Sequence, residues 1–455
     1  MLFDDVLVFD SGRLLVGGSP LRAVRLSARA AELLAGGTVV ADGGDASVLA
    51  ARLLDGNLAF PVLPERLLRP EQVTVVVPVR DRPAQLDRCL EALAPLQTIV
   101  VDDASERPDA VARVVARHGA RHVVLTDNLG PAGARNAGLE QVTTPFVAFV
   151  DSDVTATPET LLHLGGHFGD ELVCLVGPLV DGTARSARPR WFERYDAAAS
   201  SLDLGTRPAS VSPGASVGWL PGACLVVRAE VLRSVGGFNP SMRVGEDVDL
   251  VWRLVDHGHR VRYEPSCRVG HDTRSSMQAW LARKFIYGTG GGALGLKHGD
   301  AVAPARMSVA SAVVGAALLL RRRRAVPAAV GSAVWATLRV ARTLPPGAPR
   351  SLAVRLVLEG TMWAARQESS LLLRHWWPLT AIACARSTAV RRAVLSAAVL
   401  DLAVFVHERP QLDLPSAAAG RRLDDLAYGL GLWVGAVRHR SVRCLLPRLR
   451  STPRR

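Results

Sequence analysis

Lysine is nearly missing from this chain. Of its 55 basic side chains only Lys284 and Lys297 are lysines, and the rest are arginines. With so much alanine, glycine and valine around them, this is the bias of a GC-rich genome. It supplies arginine without any functional demand. Cysteine is sparse too: Cys89, Cys174, Cys224, Cys267, Cys384 and Cys444 form no CxxC pair. That excludes the usual zinc spacings and suits reduced thiols in a cytosolic setting. No apolar run reaches the ~20 residues that a spanning helix needs. Residues 308–320 provide 13 before the cluster Arg321, Arg322, Arg323, Arg324; residues 325–338 are another short run; residues 394–406 are broken by Asp401. The start, MLFDDVLVFD, is acidic and lacks a basic segment ahead of an apolar core, so no signal peptide is expected.

What is present is long and unevenly charged. At 455 residues, two or three domains are expected. The net charge is +13, yet residues 273–455 hold 28 of the 55 basic residues and only 8 of the 42 acidic ones. This third part is rich in Ala, Leu and Val and helical by pattern. A basic, Trp-containing helical region fits the surface of an anionic membrane, and a solvated helix face is the competing reading. Peripheral contact at the inner face of the cell membrane is favoured over spanning, which places the chain in the cytoplasm.

Residues 1–68 read as a small winged-helix-like α+β module. A hairpin is predicted from residues 6–9 and 14–16 around Asp10-Ser11-Gly12. Ser27 is placed to cap a helix over 28–34, a second helix runs over 46–54, and 58–62 is predicted to return as a strand. Nucleic-acid reading needs a basic recognition helix. The second helix has Arg52 alone, flanked by Asp42, Asp45 and Asp55, so no nucleic-acid partner is expected. The module either recognises a peptide along a strand edge or caps its neighbour.

The densest chemistry lies in residues 146–153, FVAFVDSD. An apolar strand runs into Asp151, Ser152 and Asp153. Hard divalent cations take oxygen ligands and share the rest with phosphate, so Asp-x-Asp suits Mg²⁺ or Mn²⁺ against a nucleotide diphosphate. One such tripeptide occurs by chance in most proteins; its neighbours give it weight. Residues 73–77 read as a buried strand closed by Pro78 and Val79. Arg80, Asp81 and Arg82 make a polar turn, and Leu86, Leu90 and Leu93 follow at helical spacing. The next strand, 98–101, ends in Asp102 and Asp103. Ligands bind at that carboxyl edge in open parallel sheets. The segment NLGPAGARNAG, with Gly133, Arg135 and Asn136, lets a backbone approach a ligand; a Gly-rich helix start is the bland alternative. Downstream stand LPGACL with Gly222, then GGF, then GEDVDL with Glu246, Asp247 and Asp249, followed by Trp252 and Arg253. Acidic residues opening a helix also serve as dipole and capping partners. Residues 183–218, with Arg185, Arg188, Arg190, Trp191, Phe192 and Tyr195, read as a flexible acceptor-side insertion whose aromatics either stack on sugars or pack on the domain.

This order of motifs, from VTVVVPVRDR through FVDSD to GGFNPSMRVGEDVDLVWRL, resembles the family 2 glycosyltransferases. The resemblance implies a GT-A catalytic domain at 69–272, between the 1–68 module and the basic helical region 273–455. It implies nucleotide-sugar contacts from Pro78, Val79, Asp102, Asp103, Gly133, Arg135, Asn136, Asp151 and Ser152, with Asp103 at the uracil. It implies a metal held by Asp151, Asp153 and His271, and Asp247 as general base. Gly222, Glu246, Trp252 and Arg253 fall on the acceptor side. Processive synthases of this family carry Gln-x-x-Arg-Trp after the base; here stand Met277-Gln278-Ala279-Trp280 and Lys284-Phe285, which disfavours polymer extrusion. RLLVGGSPLRAVRLSARAAELL (13–34), with those motifs, is similar to the glycosyltransferases of mycofactocin systems. That likeness implies UDP-glucose as donor, mycofactocin or its precursor peptide as acceptor, and a short β-1,4-linked glucose chain as product. With one base opposite the leaving group, in-line displacement would invert the anomeric carbon. A lipid or cell-wall glycan acceptor is the second reading, and an inactive peptide-binding scaffold the third.

Overall fold

The computed structural model describes residues 1–63, 68–344, 346 and 348–450. The end of the first module, 64–67, and the extreme terminus, 451–455, lie outside the described residues.

The N-terminal unit is an antiparallel meander, β1 (Leu7–Phe9), β2 (Leu14–Gly17) and β3 (Arg22–Arg25), followed by α1 (Ala28–Leu33) and α2 (Gly44–Asp55). Ser27 caps α1 as predicted, accepting from Ala30 N at 3.1 Å. The strand predicted at 58–62 does not form. Ala59 alone makes an isolated bridge, to Leu2. The unit is bolted to its neighbours. Asn57 exchanges hydrogen bonds with the Ser210 backbone at 2.7 and 3.1 Å, Asp55 pairs with Arg260 and Arg262, and Asp5 pairs with Arg207.

The central layer alternates strand and helix: β4 (Val73–Val79), α3 (Pro83–Leu93), β5 (Thr98–Asp102), α4 (Pro108–Arg117), β6 (Arg121–Val124), α5 (Gly130–Glu140) and β7 (Phe146–Val150). It continues with β8 (Val154–Thr155), α6 (Pro158–Leu164), β9 (Val173–Thr183), α7 (Trp191–Ala198), β10 (Ala209–Ser210), β11 (Cys224–Arg228), α8 (Ala229–Ser234), α9 (Glu246–Asp256) and β12 (Arg260–Asp272). The strands join one sheet in the order β10-β12-β9-β11-β7-β4-β5-β6, with β8 on β12. β4, β5, β6 and β7 are parallel, and β11 runs antiparallel to β7. β4 is a near-continuous valine run because both its faces are covered. Val73, Val75, Val77 and Val79 join the core under α3 and α4, and Val76 joins the core under α5 and α9.

Parallel pairing brings the carboxyl ends of β4, β5 and β7 to one edge. The antiparallel return of β11 sets its start beside them: Cys224 pairs with Val150, and Asp151 N donates to Ala223 O at 2.9 Å. β8 pairs with the end of β12, so His271 lies opposite Val154.

The third part is α10 (Met277–His298), β13 (Arg306–Ser308), α11 (Val309–Leu320), α12 (Val326–Thr343), α13 (Arg350–Ser370), α14 (Trp377–Arg386), α15 (Thr388–Glu408), α16 (Leu414–Arg438) and β14 (Arg448–Arg450). Ser276, Ser308, Ser387 and Asp413 cap α10, α11, α15 and α16 through their side chains. α10 and α16 meet backbone to backbone. A Cβ at Gly292 would lie 2.2 Å from Gly435 O, and one at Gly431 2.0 Å from Phe285 O. Lys297 and His298 of α10 hold Asp249 of α9, and Trp280 and Phe405 pack on Phe192 and Tyr195 of α7. This part is therefore docked on the central layer instead of forming a detached appendage. Among the described residues no helix is long and apolar enough to cross a membrane. The insertion at 183–218 is also ordered: α7 sends Phe192 and Tyr195 into a cluster with Trp280 and Phe405, so its aromatics pack on the fold.

Candidate active site

The loops at the carboxyl edge are stitched to each other. Asp81 N donates to Ser105 Oγ at 2.9 Å, Glu106 N to Asp81 Oδ1 at 2.7 Å, and Ser105 N to Asp102 Oδ1 at 2.9 Å. Pro78 and Val79 close β4 there, and Val79 O accepts from Asp103 N at 2.9 Å. Asp103 spends its carboxylate on the loop before α5, accepting from Leu129 N (2.7 Å) and Gly130 N (2.9 Å). The buried oxygen left without a partner at this strand end is Asp102 Oδ2.

Arg135 is the hub of the site. It is 2% exposed. Nη2 donates to Asp151 Oδ1 (2.7 Å) and Gly222 O (3.2 Å), and Nη1 donates to Glu246 Oε1 (2.8 Å). The guanidinium also lies over the Phe238 ring, 5.3 Å from its centroid. Burial works against its charge, but Asp151 and Glu246 more than offset that and hold its pKa above the usual value. The resemblance implies a nucleotide-sugar contact for Arg135; in the structure its guanidinium holds two carboxylates at the site. Glycine at 222 permits this, since a Cβ there would lie 3.1 Å from Arg135 Nη2.

Asp247 stands at the start of α9 on the cavity wall. Oδ2 accepts from Gly222 N at 2.9 Å and Oδ1 from Val248 N at 2.8 Å. Burial raises its pKa, with those two donors and Arg135 opposing. Its neighbour Glu246 is pushed up to about 7 by burial and by the charge of Asp247, against the pull of Arg135. The pair shares its titration, so its protons belong to both groups.

Asp153 and His271 lie on the other side of Asp151. Asp153 accepts from Arg82 (2.5 Å) and Arg274 (3.2 Å), and His271 Nε2 is 3.5 Å from its Oδ1. Burial opposes ionisation there, but His271, Arg82 and Arg283 hold the carboxyl below its usual range. Among the described residues no cluster of three or more His, Cys, Asp or Glu is poised as a metal cage. A divalent ion commonly takes one or two carboxylates and completes its shell with water and substrate phosphate. Asp151 fits that role: it lines the cavity, and Arg135 holds its Oδ1. His271 shares the same wall. Asp153 is buried off the cavity wall, with Arg82 and Arg274 both on its Oδ2 and its Oδ1 toward His271.

Several expected contacts are structural. Asn136 is locked on the Phe238 backbone, donating to its O (2.8 Å) and accepting from its N (2.9 Å). Gly133 makes room for Leu129, whose Cβ would be 2.4 Å from an added Cβ. Ser152 is buried behind the strand end. Arg253 does not line the cavity, and its guanidinium donates to Asp249, Val235 O and Gly237 O. Trp252 does line the cavity, donating from Nε1 to Gly218 O at 2.7 Å. Asp249 belongs to the scaffold, bound by Arg253, Lys297 and His298.

The cavity has a volume of about 1000 Å³ and runs from Asp151 and Asp247 outward under the helical roof. That is the top of the range for a single-ligand pocket, enough for donor and acceptor together. The motifs did not reveal Arg82, Arg243, Arg283 and Tyr287 on its wall. Arg243 latches onto Asn128 at 2.7 Å. Arg283 donates to Tyr287 at 2.9 Å. The only sequence signal for this last pair was its four-residue spacing on one helix.

A sheet of this order, with carboxylates at two parallel strand ends, a carboxylate at the start of α9 and a cavity of this size, defines a GT-A glycosyltransferase. Residues 70–285 match the family model "Glycosyltransferase like family 2". The chain is 39% identical over 98% of its length, and 96% of the relative's, to the "Pre-mycofactocin glycosyltransferase" of Mycobacterium tuberculosis (strain CDC 1551 / Oshkosh). It is 24% identical to "Glycosyltransferase AglE" of Haloferax volcanii, over 48% of this chain and 72% of that one. Among solved structures, the mannosyltransferase PcManGT from Pyrobaculum calidifontis, in complex with GDP-Man and Mn²⁺, superposes at a TM-score of 0.42 with 18% identity, covering 80% of this chain and 90% of that one. The chain belongs to the pre-mycofactocin glycosyltransferases and is a glycosyltransferase.

Proposed function

We propose that this enzyme transfers glucose from UDP-glucose to mycofactocin or its peptide-derived precursor, with inversion, and builds a short β-1,4-linked oligoglucoside. The observation that carries this reading is Asp247, a carboxylate of raised pKa on the wall of a cavity large enough for two substrates. The full-length likeness to a pre-mycofactocin glycosyltransferase supports the acceptor.

Asp247 would take the proton from the acceptor hydroxyl as that oxygen attacks the anomeric carbon. Gly222 N and Val248 N hold its two oxygens in place, so little rearrangement precedes the transfer. Arg135 keeps Asp151 and Glu246 oriented. Asp151, with His271, would hold Mg²⁺ or Mn²⁺, which when bound neutralises charge on the departing diphosphate. Asp102 and Asp103 close the strand edge where the nucleotide base would lie.

Two further assignments belong to the proposal. The outer edge of β3 carries no partner strand among the described residues, and a peptide would extend the sheet there. α12 and α13 turn apolar side chains outward, which supports peripheral contact with an anionic membrane. The direct test incubates full-length protein with UDP-glucose, Mn²⁺ or Mg²⁺ and a synthetic mycofactocin-type acceptor, and reads products by mass spectrometry. Hexose addition that Asp247→Asn slows by about 10²–10⁴ is the expected result. Hydrolysis of UDP-glucose without transfer would move the acceptor to a lipid or glycan, and an α-linked product would overturn inversion.

A further inference from the structure

The outer half of the cavity is walled by the third part of the chain, and two buried polar atoms on its wall make no hydrogen bond. Tyr195 is fully buried and lines the cavity, and its Oη has no hydrogen-bond partner among the described residues. Its ring is held from three sides. Trp280 meets it edge-on at 5.5 Å, Phe405 stacks on it at 5.7 Å, and Gly420 of α16 lies so close that a Cβ there would be 2.2 Å from Tyr195 Cδ2. Asp424 stands one helical turn beyond Gly420, on the same face of α16. It lines the same cavity and is 4% exposed. Lys284 holds its Oδ2 at 3.0 Å; Oδ1 accepts no hydrogen bond, with the Arg374 guanidinium at 3.6 Å. The two groups also sense each other: burial and then the charge of Asp424 push the phenol pKa up, so Tyr195 stays a donor.

A buried polar group without a partner costs free energy, so such pairs in a cavity mark where a ligand completes them. One atom here donates and the other accepts. A hydroxyl, which donates once and accepts twice, satisfies both at once. A phosphate would find Asp424 repulsive, and an ammonium would leave Tyr195 unmatched. We propose that Tyr195 Oη and Asp424 Oδ1 form a subsite for a sugar hydroxyl of the acceptor, so that the helical roof selects acceptors already carrying glucose. This rests on the glucosyl-transfer reading above. It assigns the roof a part in extending the chain beyond the first sugar.

The test separates the two claims. Binding of cellobiose, the β-1,4-linked glucose disaccharide, to full-length protein is measured by calorimetry without donor, metal or turnover. Wild type is expected to bind, and Tyr195→Phe, which keeps the ring and its packing, to bind about tenfold more weakly, the scale of one hydrogen bond. Asp424→Asn, in which the amide oxygen still accepts, is expected to bind more tightly than Asp424→Leu. KM is then compared for the bare and the monoglucosylated acceptor. Tyr195→Phe should raise the second far more than the first, with melting temperature checked for each variant. Equal changes in both KM values, or cellobiose affinity indifferent to Tyr195, would overturn the subsite and leave the proposed reaction standing. Loss of all transfer in wild type, with cellobiose still bound, would count against the reaction and leave the subsite.

Discussion

Arg135 touches Asp151 on one side and Glu246 on the other; both contacts are charge-assisted, and the one to Glu246 is buried while Asp151 keeps a face on the cavity. Removing one partner of a buried ion pair strands the other, at a cost of about 3–5 kcal/mol. Arg135→Gln is therefore expected to lower unfolding stability by that order, and urea titration against wild type checks it. An unchanged midpoint would mean the hub carries no such load. The neighbouring carboxylates set the pH response. A general base works only when ionised, and both Glu246 and Asp247 have pKa values raised by burial, Glu246 to about 7. On acidification, activity should therefore fall at a pH above the range of an ordinary aspartate, because burial raises the Asp247 carboxyl. Glu246→Gln removes the like charge beside Asp247, so the acid limb of kcat/KM should shift to lower pH. A limb that stays put would separate Glu246 from the titration. Asp247→Asn should cost about 10²–10⁴ in kcat, the usual contribution of a positioned base.

Among the elements, the join between α10 and α16 decides whether the cavity has a roof. Gly288, Gly292, Gly431 and Gly435 let the two backbones touch. A side chain at Gly292 has only backbone to meet, which cannot yield as a flexible side chain can. Gly292→Leu should destabilise by at least the ~1–3 kcal/mol typical of overpacking and weaken substrate binding, read by urea titration and by donor KM. A variant with wild-type midpoint and KM would show that the roof is not needed. This join also explains what the sequence concealed. β4, β5 and β7 were legible because buried parallel strands are unbroken apolar runs. The carboxylates at the ends of β5 and β7 were legible because a sheet edge in α/β folds is a binding edge. The helices of 277–438 were legible as helices, but not their position. Their contact face is glycine, which has no hydrophobic period, and Asp401, Asp424 and Asp425, which pattern as surface charge, are buried against arginines and Lys284. The backbone contacts of Asn136 and Arg253 were hidden for a related reason: a polar side chain that holds a backbone turn has the same letter as one that holds a ligand.

At the scale of the whole molecule, charge and apolar surface coincide on one side. α12 has no buried residue, yet Val326, Val330, Val334 and Leu338 recur every four positions and are all more than half exposed, with Trp335 beside them. On α13, which packs next to it, Val354, Leu358 and Met362 repeat the same spacing, with Trp363 60% exposed. Two adjacent outward apolar stripes are costly in water and suit the boundary of a bilayer. The arginines at 321–324 directly precede α12, and each basic residue near an anionic surface contributes roughly 1 kcal/mol. Both forces should therefore act together. Full-length protein should float with vesicles of phosphatidylglycerol and phosphatidylcholine, and lose most of that binding when ionic strength rises from 0.05 to 0.5 M. Replacing the four arginines by glutamine should weaken binding and flatten its salt dependence. Trp335→Ser with Trp363→Ser should weaken it without changing the salt dependence, because the apolar contribution is not screened. If the arginine and tryptophan variants partition like wild type, or wild type does not float at low salt, membrane contact is not what these stripes are for, and a protein partner is the remaining reason to keep them exposed.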